Sequence, residues 1–366
     1  MSGLQVGYLL PTRDQAVRGE HEPGRLVAQA RRAERLGFDS VWAGDSPVTR
    51  PRADLLLLLA AVAEATERVA LGTAVLLPAL RHPILLAHQL ATLDRLSDGR
   101  LIAGMGGGFP NPNTRAQFMA VGVPFGSRIS RLEESVDAMR LLWSGETVSY
   151  RGEHFAFSDV RIAPPPSRPG GPAVWLAGSG GPALRRVARL ADGWLPYPPT
   201  TATYAEELRT VAAERRRIEE DSPPRGPVTP ALYATLCLDR DPEKAAVRLR
   251  ASVETYYDAP LEKVASVQAL FAGTPARPST GSPGTSRPEP VTWWSAWPPT
   301  TTRRTWSCSP TTSCPFCARS THDHVRTRPR CLARTLGLGP GRAPAARLRG
   351  PYAHPRPRRA RRPRTP

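Results

Sequence analysis

Cysteine and long apolar runs are scarce in this chain. Of five cysteines in 366 residues, only Cys237 precedes residue 275. This excludes the disulfide framework of a small secreted domain. The longest apolar run, residues 55–62, is too short to cross a bilayer, and no basic N-terminal stretch leads into an apolar one. We therefore predict a soluble, cytoplasmic protein with no membrane partner.

Acidic residues and lysine are almost absent from residues 275–366. That segment has 18 Arg, no Lys and only two acids, and it carries +16 of the formal net charge of +18. The first 274 residues are nearly neutral, so they need no polyanionic partner. With 17 Pro and no helical or strand periodicity, the segment cannot build an ordinary core. We predict a disordered, Arg- and Pro-rich tail.

Three explanations of the tail remain open. Sequence rich in Arg, Pro, Thr, Ser and Trp but without lysine is what a GC-rich gene yields in a shifted reading frame, and we favour this explanation. A genuine basic tail would bind nucleic-acid phosphates, which is the only way in which nucleic acid enters as a partner. A zinc module is disfavoured because only one C-x-x-C pair is present among the candidate ligands Cys308, Cys314, Cys317, His322, His324 and Cys331.

The first 274 residues alternate short apolar runs with amphipathic stretches of helical period, as in repeated βα units. The predicted strands cover residues 5–10, 40–43, 70–76, 101–105, 173–177, 193–195 and 231–238. The predicted helices cover residues 24–35, 53–66, 83–96, 128–143, 182–191, 204–220 and 242–256. Residues 145–172 read as a hairpin inserted in a loop.

Seven βα units favour an α/β barrel of the TIM (β/α)8 type over a doubly wound sheet. No G-x-G-x-x-G opens the first helix, and polar or glycine-rich residues follow many of the strands. The first domain is therefore predicted to span residues 1–274. If the tail is aberrant, this barrel lacks its eighth strand and has two unpaired edges.

A glycine-rich turn follows the apolar strand 174–177. Ala177, Gly178, Ser179, Gly180 and Gly181 lead from that strand into an arginine-rich helix. Backbone amides exposed by glycine, together with the positive end of a helix, form a phosphate site. The alternative is a plain βα turn that merely needs glycine.

Five runs, taken together and in this order, resemble the luciferase-like monooxygenase superfamily, and in particular its branch that uses the deazaflavin coenzyme F420. They are FDSVWAGDS (38–46), LGTAVLLPALRHP (71–83), LATLDRLSDGRLIAGMGGG (90–108), RLEESVDAMRLLW (131–143) and VWLAGSGGPALRRVARLADGWLP (174–196). The resemblance covers roughly residues 4–274. It implies a barrel enzyme with the cofactor bound at the carboxyl ends of the strands, and it makes the turn at 177–181 a cofactor-phosphate site.

The resemblance also implies where the cofactor ring lies. In such enzymes a non-prolyl cis peptide after the third strand supports the central ring, which here corresponds to Ala74–Val75, next to Thr73. The glycine run after the fourth strand, Gly106, Gly107 and Gly108, contributes to the same site.

Asp45 and Ser46 are the candidate catalytic residues, because the family commonly has an acid followed by histidine after the second strand. Serine cannot replace histidine as a general acid or base near neutral pH; its hydroxyl can only orient a partner or relay a proton. Phe109 stands where the sugar-phosphate dehydrogenases of the family have an acid, and this disfavours a sugar phosphate as substrate. We predict no metal site.

The resemblance implies an F420-dependent oxidoreductase that passes a hydride between the cofactor and a small organic substrate. Two alternatives remain: an FMN-dependent monooxygenase that uses the same pocket, and a non-catalytic barrel whose basic tail binds nucleic acid. A homodimer is compatible with the sequence, which does not identify the substrate.

Overall fold

A computed structural model describes residues 4–49, 52–198, 200–221 and 223–274, together with the backbone of residues 291–296. All of them fall in one unit, Met1–Ala318. In chain order the first elements are β1 (Val6–Leu9), α1 (Thr12–Val17), α2 (Pro23–Arg35), β2 (Ser40–Ala43), α3 (Leu55–Ala65), β3 (Ala70–Thr73), α4 (Pro83–Leu96), β4 (Leu101–Met105), α5 (Pro112–Ala120) and α6 (Arg128–Leu142).

The second half begins with a small antiparallel hairpin. Its elements are β5 (Val148–Arg151), β6 (Ala156–Val160), β7 (Ala173–Leu176), α7 (Gly181–Leu190), β8 (Gly193–Trp194), α8 (Thr201–Glu219), β9 (Thr229–Leu238), α9 (Pro242–Tyr257), α10 (Leu261–Ala265), β10 (Ala269–Gly273) and β11 (Val291–Ala296). The hairpin predicted within residues 145–172 is therefore present, as β5 and β6.

Eight parallel strands close into a barrel in the order β1, β2, β3, β4, β7, β8, β9 and β11. The first part of β9 pairs with β8, and its later part pairs with β10, which lies outside the ring. All seven predicted strands and all seven predicted helices are present. The prediction of a (β/α)8 barrel is confirmed.

The expectation that the barrel lacks an eighth strand is wrong. β11 lies between β1 and β9, with Thr292 opposite Val6 and Val291 opposite Ala231. The run VTWWSA is rich in β-branched and aromatic residues, which favour strands, and it fills the gap that seven strands leave. Residues 275–290 and 297–366, with all the cysteines and histidines considered for zinc, lie outside the described residues.

A chain shortened to end at Thr274 is expected to be insoluble, or to melt at a markedly lower temperature than the full chain. Removing β11 exposes the hydrogen-bonding edges of β1 and β9 and opens the barrel core. Thermal unfolding followed by circular dichroism measures the effect. Equal melting temperatures would contradict the pairing of β11.

Two tryptophans fill the barrel interior beside glycines of the neighbouring strands. Trp42 lies opposite Gly72, and Trp175 lies opposite Gly193. A Cβ built on Gly72 would come within 2.1 Å of the Trp42 indole, and one on Gly193 within 2.5 Å of Trp175. The missing side chains therefore make room for the two indole rings, whose centroids are 5.6 Å apart. They form the floor of the barrel beneath the site.

The main core lies between the sheet and the surrounding helices. Leu59 of α3 and Leu86 and Leu90 of α4 are fully buried there. Aspartate side chains begin two of the helices: Asp54 accepts amide hydrogens at the start of α3, and Asp241 does so at the start of α9. Across the described residues, no helix combines the length and the apolar character needed to cross a membrane.

Candidate active site

A cavity of about 840 Å³ opens at the carboxyl ends of the barrel strands. Residues that follow β1, β2, β3, β4, β7 and β8 line it, and β9 adds Tyr233 and Thr235. This face carries the active site in barrel enzymes, because loops from many strands meet there. Of the predicted site residues, the cavity brings together Asp45, Ser46, Ala74, Val75, Gly108 and Ala177.

The peptide bond between Ala74 and Val75 is cis, as the family resemblance implied. β3 ends at Thr73, three residues earlier than the predicted strand, and regular pairing resumes where the Leu76 amide donates to the Gly104 carbonyl oxygen at 2.9 Å. The buried Thr73 hydroxyl donates to the same carbonyl at 2.6 Å and does not line the cavity. Ala74 and Val75 therefore form a wall that projects toward the cavity.

Only the last glycine of the run Gly106–Gly108 faces the cavity. A Cβ on Gly106 would lie 2.8 Å from Val75 Cγ2, and one on Gly107 would lie 2.4 Å from Ile129 Cδ1. At both positions a neighbouring side chain, and not the cavity, lies where the Cβ would be. Gly108, with φ of +82°, provides a stretch of wall with no side chain.

The turn after β7 has the shape of an anion site, and a carboxylate of the chain itself already occupies it. Gly178 and Gly180 have φ of +128° and +80°, and the turn leads directly into α7. The Gly180 amide donates to Glu207 Oε1 at 2.8 Å. Among residues 177–181 only Ala177 lines the cavity. A phosphate bound here would have to displace Glu207.

Asp45 is a buried carboxylate with a complete set of partners. Arg81 donates to both of its oxygens, at 2.6 and 3.1 Å, and the Leu77 amide donates at 3.0 Å. Its side chain is 3 % exposed. Such a two-point ion pair fixes the segment that follows the cis peptide, so the geometry makes Asp45 a positioning residue.

Ser46 is also engaged within the protein. Its hydroxyl donates to the Thr49 carbonyl oxygen and lies 3.2 Å from Gln117 Oε1. Gln117, which is itself buried, also accepts from the Val48 amide at 3.4 Å. These contacts hold the loop after β2 in place.

Asp14 is the titratable group that sequence reasoning missed. It lies on α1, lines the cavity and is 8 % exposed. No cation lies within ion-pair distance of its carboxylate in the described part of the chain. Burial raises the pKa of Asp14 to about 7, and burial together with the Asp14 charge raises the pKa of Tyr8 to about 12. A carboxyl group that titrates near neutral pH in a cavity is suited to accept and donate protons.

Four tyrosines also line the cavity: Tyr197, Tyr233, Tyr256 and Tyr257. Burial raises the pKa of Tyr197, Tyr233 and Tyr257, so these phenols stay neutral. Tyr257 donates to Gln268 Oε1 at 2.7 Å, and Gln268 donates to the Thr235 hydroxyl at 2.6 Å. The tyrosines therefore give this part of the cavity an aromatic lining.

The histidines weighed from the sequence have structural contacts. His82 caps α4 through its ring nitrogen, His88 contacts the Ala163 carbonyl oxygen, and His154 Nε2 lies 2.6 Å from the Ser130 hydroxyl. Glu134, Glu153 and His154 come close enough to hold a metal ion. However, the Glu134 carboxylate accepts three successive backbone amides of the β5–β6 hairpin, and this accounts for its position.

Comparison with known proteins places the geometry in a family. A sequence model described as luciferase-like monooxygenase matches residues 4–289. A curated F420-dependent glucose-6-phosphate dehydrogenase from Kineococcus radiotolerans is 33% identical over 258 residues, which is 68% of this chain and 72% of that protein.

Solved structures show the same fold. The monooxygenase RslO1 from Streptomyces bottropensis is 25% identical, with a TM-score of 0.60, over 72% of this chain and 80% of that one. An F420-dependent secondary alcohol dehydrogenase is 20% identical, with a TM-score of 0.59, over 75% of this chain and 86% of that one. The chain therefore belongs to the luciferase-like monooxygenase family and is an enzyme, an oxidoreductase, of that family.

Proposed function

We propose that this enzyme transfers a hydride between coenzyme F420 and a small organic alcohol or its carbonyl product. One observation carries the proposal: the wall formed by Ala74, Val75, Gly108 and Ala177 lines the same cavity as the buried carboxylate of Asp14, which forms no ion pair with any described residue. Curated relatives at about one third identity are named as F420-dependent dehydrogenases, which supports the deazaflavin as cofactor.

The residues present fit such a cofactor at the ring end. Ala74, Val75, Gly108 and Ala177 give the cavity a wall of small side chains and bare backbone against which a flat ring can lie. The floor beneath it is the tryptophan pair, Trp42 and Trp175, which packs against Ala74 and Val75. The deazaflavin supplies the hydride acceptor or donor when bound.

At the phosphate end, the cofactor chain would lie on the amides that begin α7, where Glu207 now accepts from Gly180. The Glu207 carboxylate competes with an incoming phosphate, because both prefer the positive end of the helix.

Asp14 is the proposed proton acceptor. In the direction of alcohol oxidation, the Asp14 carboxylate would accept the hydroxyl proton as the carbon–oxygen double bond forms, and the bound deazaflavin would supply the hydride acceptor. A group with a pKa near the working pH does this best, since it can both take the proton and release it. Asp45 and Ser46 hold the loops around the cavity and do not handle the proton.

Glu207→Gln is expected to tighten coenzyme F420 binding about three- to tenfold, because the substitution removes a negative charge that competes with the cofactor phosphate. The neighbouring, exposed Glu206→Gln is the matched control and leaves the affinity unchanged. Titration by quenching of the deazaflavin fluorescence measures both. Equal affinities of Glu207→Gln and the wild type would show that the phosphate does not bind at α7.

An FMN-dependent monooxygenase is the second candidate, favoured by the structural likeness to RslO1. Separate titrations of the full chain with coenzyme F420 and with FMN distinguish the two, and we expect saturable binding of the deazaflavin. If only FMN bound, the second candidate would replace the first. We also propose a cytoplasmic location and a small-molecule partner. A measurement of the molecular mass in solution would test whether the protein forms a homodimer.

A further inference from the structure

Arg13 is a buried cation in the lining of the cavity, and no described residue supplies it with a counter-ion. It is 8 % exposed and lines the cavity next to Asp14. Its Nε is buried and has no hydrogen-bond partner, and no carboxylate lies within ion-pair distance of it in the described part of the chain. Burying a guanidinium without an anion is costly, so such a group is normally matched by a ligand or a partner.

The surroundings of Arg13 hold it in one orientation. Its guanidinium carbon lies 4.1 Å from the centroid of the Tyr256 ring and 5.8 Å from that of Tyr257. A guanidinium stacked on a ring keeps its edge available for hydrogen bonds in the plane of the group. A planar carboxylate matches that edge with two parallel hydrogen bonds.

Other charges of the cavity reinforce this preference. Arg52, whose Nε is also buried without a partner, and Lys263 line the same cavity. A Cβ on Gly44 would come 2.6 Å from Arg52 Nη1 and 3.2 Å from the Ala74 carbonyl oxygen, which places this second guanidinium beside the cis peptide.

The acids of the lining do not cancel these cations. Asp45 is saturated by Arg81, and Asp258 is already engaged in an interaction of its own. Asp14 remains, and its carboxyl is only partly ionised near neutral pH.

We infer that the substrate is a small organic acid, a hydroxy acid or the corresponding oxo acid, whose carboxylate is held by Arg13 while its remaining body lies against the tyrosines. The inference rests on the proposed function, since it names the substrate class of the same cavity. It assigns Arg13 the role of anchoring the end of the substrate that does not react, with the alcohol carbon left to face the cofactor wall.

Binding of two matched probes tests the inference on the unaltered full chain saturated with coenzyme F420. Benzoate and benzamide have nearly the same shape, but only benzoate is charged. Isothermal titration calorimetry is expected to show benzoate binding about ten- to a hundredfold more tightly, the range expected for hydrogen bonds to a charged group. Equal affinities would overturn the inference, and so would tighter binding of phenyl phosphate than of benzoate.

Variants locate the effect. Arg13→Met is expected to abolish the preference for benzoate while leaving benzamide binding unchanged, and Arg13→Lys to retain part of it. Arg25→Met, at an exposed arginine of α2, is the control and keeps the full preference. A preference for benzoate that persisted in Arg13→Met would overturn the assignment. If Arg13→Met does not fold, the partial loss in Arg13→Lys decides the same question.

Cofactor binding is read separately from probe binding in the same samples. If the wild type bound no deazaflavin but still preferred benzoate to benzamide when titrated without cofactor, the proposed function would be refuted and the anion site would stand. Normal cofactor binding without any preference for benzoate would refute the anion site alone.

Discussion

Asp14→Asn lowers kcat by about 10²- to 10⁴-fold, the range that a positioned general base contributes, with an alcohol on which the wild-type enzyme is active. Asparagine has nearly the same volume but cannot accept the hydroxyl proton. Affinity for coenzyme F420 stays the same, because the cofactor wall is built from Ala74, Val75, Gly108 and Ala177.

The same substitution changes the pH dependence in a defined direction. Wild-type kcat/KM for alcohol oxidation rises with pH through an ionisation near 7, since burial raises the pKa of Asp14 from 3.8 to about 7. The folded state therefore holds this proton more tightly than the unfolded state. The stabilisation is fully present below about pH 4 and is lost as the pH rises through 7. Asp14→Asn should thus melt at a higher temperature than the wild type at pH 8, and the difference should shrink toward pH 5.

Asp221→Asn is the matched control, because Asp221 is exposed and lies outside the cavity lining. It should leave kcat, the pH profile and the melting temperature unchanged. Asp14→Glu restores a carboxylate and should recover part of the activity. Wild-type turnover in Asp14→Asn, with the ionisation near pH 7 retained, would remove Asp14 from the mechanism.

Gly104→Ala is expected to destabilise the fold by about 3 kcal/mol or more, at the upper end of the cost of overpacking a core. A Cβ at this position would lie 2.1 Å from the Thr73 carbonyl oxygen, which belongs to backbone. Thr73 cannot move aside easily, because its hydroxyl bonds the Gly104 carbonyl oxygen at 2.6 Å. The melting temperature should fall by roughly 5–10 °C, and coenzyme binding should weaken as β3 shifts.

Gly24→Ala provides the comparison. Gly24 lies in α2, and a Cβ there would meet nothing within 4 Å. Alanine favours the helix, so this variant should be as stable as the wild type or more stable by about 0.5–1 kcal/mol. A melting temperature for Gly104→Ala equal to that for Gly24→Ala would show that β3 and β4 are packed less tightly than described.

The barrel was predictable because its signals are periodic and local. Each βα unit has a short apolar run for the strand and an amphipathic stretch for the helix that follows it. The five runs shared with the family occur in the family's order, and this indicated the barrel. β11 was not predictable in the same way, because it is a run of only six residues within a tail that lacks periodicity. Its place as a strand becomes clear only from its pairing with β1 and β9. The division at Thr274 and a shifted reading frame stay proposals. Translation of the DNA in the other two frames past codon 274 tests them.

The site was predictable only in part. The cis peptide and the cavity wall follow from runs that the family shares. Asp14 and Arg13 were missed because the run T-R-D-Q is typical of a polar loop. Both residues are buried because α1 packs against α9, which is distant in the sequence. The partners of Asp45 and Gly180, Arg81 and Glu207, were missed for the same reason.

The pairing of β1 with β11 has a consequence for how the chain folds. The two strands that close the ring come from opposite ends of the described sequence, so their contact has close to the largest sequence separation that the described residues allow. Contacts of this kind form late, because the entropy of closing the intervening loop is lost before the contact contributes. During synthesis on the ribosome, the first seven strands therefore remain an open sheet until β11 has been made. At this stage the exposed strand edges can bind chaperones or aggregate.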